Sequence, residues 1–297
     1  MKMKRMISLL LALLLIAGLG TSALANNEME TWEQRVAVGA DLTPEQRAQV
    51  FADFGLLEGA VPELTVTIEQ ERAYLQDFVP ASVIGSRSVS SIYIIVTPPG
   101  SGLDITVINI NWLTEDIYRN ALLTAGITDA RVIITAPFPV SGTAALTGIY
   151  MAFEDITGEA LPEEAKLVAI EEAVLTGEIA EFLGDSENIA ALMNELKLIL
   201  DETRTMTDDQ VRAEIRKLAV EHNISLTDGQ VEQILRLARN LENLDLRAVQ
   251  GALEALGGNL GSVLAAGQAV SGFFSNVANF FSNAGSAISR FFSNIFS

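Results

Sequence analysis

The sequence predicts an α+β protein, and three observations carry that prediction. Short segments between residues 30 and 150 alternate apolar and polar side chains with period two, the signature of half-buried strands. From Leu161 onward the apolar period becomes helical. Thr-x-x-Gln capping boxes mark the points where several helices begin. The chain divides on this basis into a signal peptide at 1–25 and a mixed α/β domain at 26–158. A helical bundle region at 159–256 and a Phe-rich amphipathic tail at 257–297 follow.

The N-terminus has the three parts of a secretory signal. Lys2, Lys4 and Arg5 precede an apolar stretch from Ile7 to Leu19, and Ala23-Leu24-Ala25 is an A-x-A cleavage site. The apolar stretch is short for a membrane span, which needs about 20 residues. The chain is therefore expected to be exported, with cleavage after Ala25. The signal holds three of the 19 basic residues and none of the 38 acidic ones, so the mature chain carries a net charge of −22. Such a balance opposes binding to nucleic acid, which needs clustered Lys and Arg. The chain has no cysteine. Disulfides, thiolate metal sites and Cys nucleophiles are thereby excluded.

In the α/β domain, Gln34 to Val38 reads as a strand. Thr43-Pro44-Glu45-Gln46 then opens a helix, with Thr43 as cap, Pro44 at the first position and Gln46 completing the box. Gly55 suits its end. Leu64 to Ile68 alternates and is a strand, and Glu71 to Phe78 is a short helix. Ser88 to Thr97 and Leu103 to Ile110, joined by Pro98-Pro99-Gly100-Ser101-Gly102, read as a β-hairpin. Thr114 caps a helix that runs to Thr124 and stops at Gly126. Arg131 to Thr135 is a buried strand ended by Pro137 and Pro139, and Ser141 to Phe153 returns to helix. The order is β-α-β-α-β-β-α-β-α, with one helical layer expected on the sheet.

Four helical stripes follow: Leu161 to Phe182, Ile189 to Leu200, Val211 to His222 and Val231 to Leu241. The last two lie behind the boxes at Thr207 and Thr227, and together the four suggest a small bundle. In the tail, Phe-Phe-Ser-Asn recurs at 273, 280 and 291. Spacings of 7 and 11 are near-integral numbers of helical turns, which puts Phe273, Phe274, Phe280, Phe281, Phe291 and Phe292 on one face. That face is expected to contact a membrane surface or a protein partner, self-association included. Docking on the chain's own bundle would also cover it.

No residue is assigned as catalytic, and no metal site or cofactor is expected. The single histidine, His222, sits at a helix end, where it favours the dipole. Neighbouring carboxylates such as Glu163-Glu164, Glu171-Glu172 and Asp208-Asp209 read as solvated charge. Two loops stand out as ligand-binding candidates. In one, Thr135 to Thr143 leaves a buried strand and enters a helix, so that backbone N–H groups at Gly142 and Thr143, beside Ser141, face whatever lies there. Plain capping by Ser141 or Thr143 is the competing reading. In the other, Arg87 lies among small hydroxyl residues, Gly85 to Ser91, just before a strand.

These segments also carry a resemblance. Gly85-Ser86-Arg87 with Ser90-Ser91, Thr124-Ala125-Gly126-Ile127, Thr135-Ala136-Pro137-Phe138, Ser141 through Gly148, and Gly39-Ala40-Asp41-Leu42 are similar to the YpuA-like family of extracytoplasmic bacterial proteins. The resemblance implies an exported cell-envelope protein in a family of unknown function, with no catalytic residues to carry over. The leading expectation is a non-enzymatic binding module. The alternative is a hydrolase acting on wall or surface substrates through Ser141 or carboxylates, which requires Ser141, Arg87 and an acidic side chain to converge in one cleft.

Overall fold

The computed structural model describes residues 33–78, 84–247 and 250, so the expected signal peptide and the Phe-rich tail lie outside the described residues. The elements of the α/β part are β1 (Gln34–Gly39), α1 (Pro44–Phe54), β2 (Glu63–Val66), α2 (Ile68–Leu75), β3 (Ser91–Val96), β4 (Leu103–Ile110), α3 (Glu115–Thr124), β5 (Ala130–Val140) and α4 (Thr143–Thr157). The helical part holds α5 (Glu163–Leu183), α6 (Ser186–Leu198), α7 (Leu200–Thr203), α8 (Asp208–Glu221) and α9 (Asp228–Leu241). The fold is α+β, and the order of elements through α4 is the one the sequence predicts.

Local chemistry sets the helix starts. The capping boxes at Thr43, Thr207 and Thr227 all form, and Gly55 closes α1 in the left-handed conformation. A fourth box, Thr67 with Gln70, was hidden by reading the preceding strand through Ile68. It starts α2 three residues before Glu71, so Glu71 stands within the helix on the buried side it shares with Leu75.

The five strands form a mixed sheet in the order β2-β1-β3-β5-β4. β1 and β2 are parallel and linked through α1, and β4 and β5 are parallel and linked through α3. The expected hairpin is not formed. β5 lies between β3 and β4, antiparallel to the first and parallel to the second. Burial explains the insertion. Val132 and Ile134 of β5 are fully buried, which suits an inner strand. β4 keeps exposed polar positions such as Asp104, which pairs with Arg131 and suits an edge.

Period-two alternation distributes the strands between two cores. Val36, Val38 and Tyr93 pack with Val50, Phe51 and Phe54 of α1 on one face. Ala37, Ile92, Ile94, Val132 and Ile134 pack with residues of α3, α4 and α5 on the other. Helices therefore cover both faces, where a single layer was expected. α5 is apolar on two sides. Ala169, Ile170 and Ala173 belong to the sheet-side core, and Val168, Leu175 and Ile179 to the core of the helical part. Phe182, placed by its spacing on the α5 stripe, is instead 67% exposed beside the left-handed cap at Gly184.

The strand β5 corrects a second expectation. Pro137 and Pro139 do not end it; it runs on to Val140. Between Ile108 and Ile110 of β4 the register jumps from Thr135 to Val140, so residues 136–139 bulge from the ladder. Proline lacks a donor, and a bulge is where the ladder makes no demand for one. Asn109, in a left-handed backbone conformation, fastens the bulge by donating from Nδ2 to the Ala136 carbonyl at 2.8 Å. Pairing with β3 ends at Ser91 and Thr135, so beyond the bulge β5 pairs with β4 alone, through Val140 and Ile110.

Candidate functional site

A cavity of about 270 Å³ opens where the bulged end of β5 meets the first turn of α4. Arg87, Ser141, Gly142 and Thr143, the four ligand-binding candidates, all line it. So do Phe138 of the bulge and Glu71 of α2. The two loops singled out in the sequence, 44 or more residues apart, thus form one site, and an acidic side chain joins them.

Each wall is held by a specific device. The segment ahead of β3 is tied to the end of β1: Asp41 Oδ2 accepts from the Ser88 N–H at 2.7 Å, and the Asp41 N–H donates to the Ser88 carbonyl at 3.0 Å. Gly39 donates its N–H to Ser91 Oγ at 3.1 Å. A Cβ on Gly39 would stand 2.4 Å from the Ser88 carbonyl oxygen and 2.8 Å from Val89 Cα, both backbone atoms that cannot rotate away. Gly39→Ala is therefore expected to cost about 1–3 kcal/mol as overpacking. It should also displace the 88–91 segment, seen as amide shifts at Arg87 to Ser91 in a nitrogen–proton correlation spectrum. Unchanged shifts there would refute the tie. On the other wall, Arg72 donates to the Gly85 carbonyl at 3.1 Å, and the Arg87 guanidinium lies over the Phe138 ring, 5.7 Å from its centre.

Helix α4 begins without a side-chain cap, contrary to the capping expected from Ser141 or Thr143. Its cap residue is Gly142, with φ 91°, a conformation that L residues rarely adopt. Tyr118 donates its hydroxyl to the Gly142 carbonyl at 2.6 Å and fills the space a Cβ would need. Thr143 turns its hydroxyl elsewhere: Oγ1 donates to Glu71 Oε1 at 2.9 Å, and Ser141 Oγ lies 3.4 Å from it.

Glu71 is the residue that sequence reasoning missed. Its side chain is 1% exposed, and Oε2 is buried with no hydrogen-bond partner among the described residues. Burial pushes its carboxyl up to about 7, against the pull of the Thr143 hydroxyl and the nearby Arg72 charge. The signal that could have found it is Thr67-x-x-Gln70, which places Glu71 and Leu75 on one helical face.

The other polar groups fall elsewhere. His222 caps α8, with Nε2 3.2 Å from Glu195 Oε1. Asp208 and Asp209 pair with Arg239 and Arg212 at helix starts. Glu172 contradicts its reading as solvated charge: it is buried and pairs with Lys197 at 2.8 Å. Among the described residues, no group of three or more acidic or histidine side chains is placed to hold a metal ion. Nor is any described helix long and apolar enough to cross a membrane.

A family model described as "Protein of unknown function (DUF1002)" matches residues 38–256. A relative from Bacillus subtilis (strain 168), the "Uncharacterized protein YpuA", is 39% identical over 215 residues, covering 71% of this chain and 72% of its own length. No solved structure matches the chain.

Proposed function

The chain belongs to the DUF1002 family of proteins of unknown function, and from that premise we propose that it is an exported, non-enzymatic binding protein of the cell envelope. Export rests on the signal pattern, with cleavage after Ala25. The single observation that carries the binding role is the convergence of Arg87, Ser141, Gly142, Thr143 and Glu71 on one cavity. A concave site with a few convergent polar groups and an ionisable group shifted by burial is the usual form of a ligand site. Binding is preferred to hydrolysis because Ser141 has no general base in hydrogen-bond contact among the described residues. Its near neighbour is the Thr143 hydroxyl, already committed to Glu71, and the one histidine, His222, caps α8 and does not line the cavity. The Phe face of the tail would attach the protein to a membrane surface or to a partner.

Titration of the full chain with a panel of amino acids, peptides, sugars and phosphate is expected to shift the amide signals of 85–90 and 138–144 selectively. A panel that moves none of them would sink the binding reading. Flotation with lipid vesicles, with and without residues 257–297, tests the tail: the full chain should float and the truncated chain should not.

A further inference from the structure

We propose that the cavity takes a small zwitterion of the amino-acid or short-peptide type, its carboxylate held by Arg87 and the first turn of α4 and its ammonium group by Glu71. This rests on the binding role argued above and adds the chemistry of the ligand.

The cavity offers one positive and one negative anchor. On the positive side, Arg87 is exposed, stacked on Phe138, and paired with no carboxylate among the described residues. Beside it, α4, a 15-residue helix, has Gly142 as its cap and no side-chain cap bond. The Ala145 N–H donates to the Gly142 carbonyl, but the N–H groups of Thr143 and Ala144 have no side-chain acceptor among the described residues. The negative anchor is Glu71, whose Oε2 is buried and unpartnered at the lining. A buried oxygen of this kind is costly unless something donates to it. Thr143 satisfies only Oε1.

Complementarity then selects the ligand. A simple anion would meet Arg87 and α4 but would bring like charge towards Glu71. A simple cation would meet Glu71 and leave Arg87 unanswered. A molecule with both groups satisfies all three, and Ser141 adds a hydroxyl. The volume of about 270 Å³ limits it to a small ligand, and Phe138, Pro139 and Val89 provide apolar wall for a side chain.

The test is titration of the full chain, followed by amide shifts, with alanine and alanyl-alanine. N-acetyl-alanine, which lacks the ammonium, and alanine methyl ester, which lacks the carboxylate, serve as blocked controls. The zwitterions should bind at least about tenfold more tightly than either blocked form, as expected for loss of a charged hydrogen bond. Arg87→Ala should erase the advantage over the ester, and Glu71→Gln the advantage over the N-acetyl form. Should Glu71→Gln fail to fold, the comparison of blocked and free ligands on the unaltered chain still decides. If N-acetyl-alanine binds as well as alanine, the zwitterion is wrong and the cavity remains a binding site for anions. If neither these probes nor phosphate nor sugars move the cavity signals, both readings fall.

Discussion

Replacing Lys197 by methionine is expected to lower the unfolding free energy by about 3–5 kcal/mol, the usual cost of leaving a buried charge without its partner. Lys197 of α6 is fully buried, and Glu172 of α5 is 1% exposed. Lys197 Nζ lies 2.8 Å from Glu172 Oε1 and also donates to the Asn120 carbonyl at 3.2 Å and Thr124 Oγ1 at 3.3 Å, both in α3. Thr124 in turn donates to the second Glu172 oxygen, and Asn120 Nδ2 donates to the Ala190 carbonyl of α6. The network thus fixes α6 on α3 and α5, where the sheet-side core meets that of the helical part. Since net stabilities are about 5–15 kcal/mol, the loss would be a large share of the total. Urea denaturation should show a lower midpoint at an unchanged slope. The double variant Lys197→Met with Glu172→Leu separates charge from packing, because neither charge of the pair then remains. It should be more stable than Lys197→Met alone. A double variant as unstable as the single one would mean that packing, not charge, is what α6 loses.

What could be read from the sequence was what neighbours in the chain determine. The boxes at Thr43, Thr207 and Thr227 involve residues three apart, and period-two alternation needs only a short window. What could not be read was set by distant partners. The turn at Pro98 to Gly102 suggests pairing of the strands it joins, yet β5 takes the place between them, where Val132, Ile134, Thr135 and Ala136 are buried. Pro137 and Pro139 look like stops until β5 is known to bulge between Thr135 and Val140, opposite Ile108 and Ile110 of β4. Glu172 and Lys197, 25 positions apart, look like ordinary surface charges, because nothing local reveals that each has the other. The same limit applies to the site. Arg87 and Ser141 to Thr143 were visible as unusual loops, but their convergence depends on the clamp between Asp41 and Ser88 and on the β5 bulge. Glu71 is masked locally: the period-two alternation of β2 continues through Ile68, past the cap at Thr67 where α2 begins.

Glu71 carries the second large effect, and it depends on pH. The folded chain holds its proton more tightly than the unfolded chain, because burial moves the carboxyl from an ordinary 4.5 to about 7. The stability from this proton is fully present below pH 4.5 and is lost as pH rises through 7. Across that window the loss amounts to at most about 3 kcal/mol, at 1.36 kcal/mol per unit. Glu71→Gln keeps an acceptor for the Thr143 hydroxyl and removes the ionisation. Its unfolding free energy should approach that of the unaltered chain near pH 5 and exceed it by up to about 3 kcal/mol at pH 8. Glu115, Glu178, Glu181 and Glu187 are also raised by burial, but they titrate in both proteins and cancel from the difference. Urea unfolding at pH 5, 6, 7 and 8 measures it, and parallel curves would show that Glu71 titrates alike in both states. A carboxylate that destabilises the empty protein at neutral pH is the pattern expected of a residue kept for a ligand. An ammonium group placed on Oε2 would stabilise the ionised form and reverse that cost. Stabilisation by alanine or alanyl-alanine should therefore grow as pH rises from 5 to 8 in the unaltered chain and stay flat in Glu71→Gln, until the ligand's own ammonium begins to deprotonate.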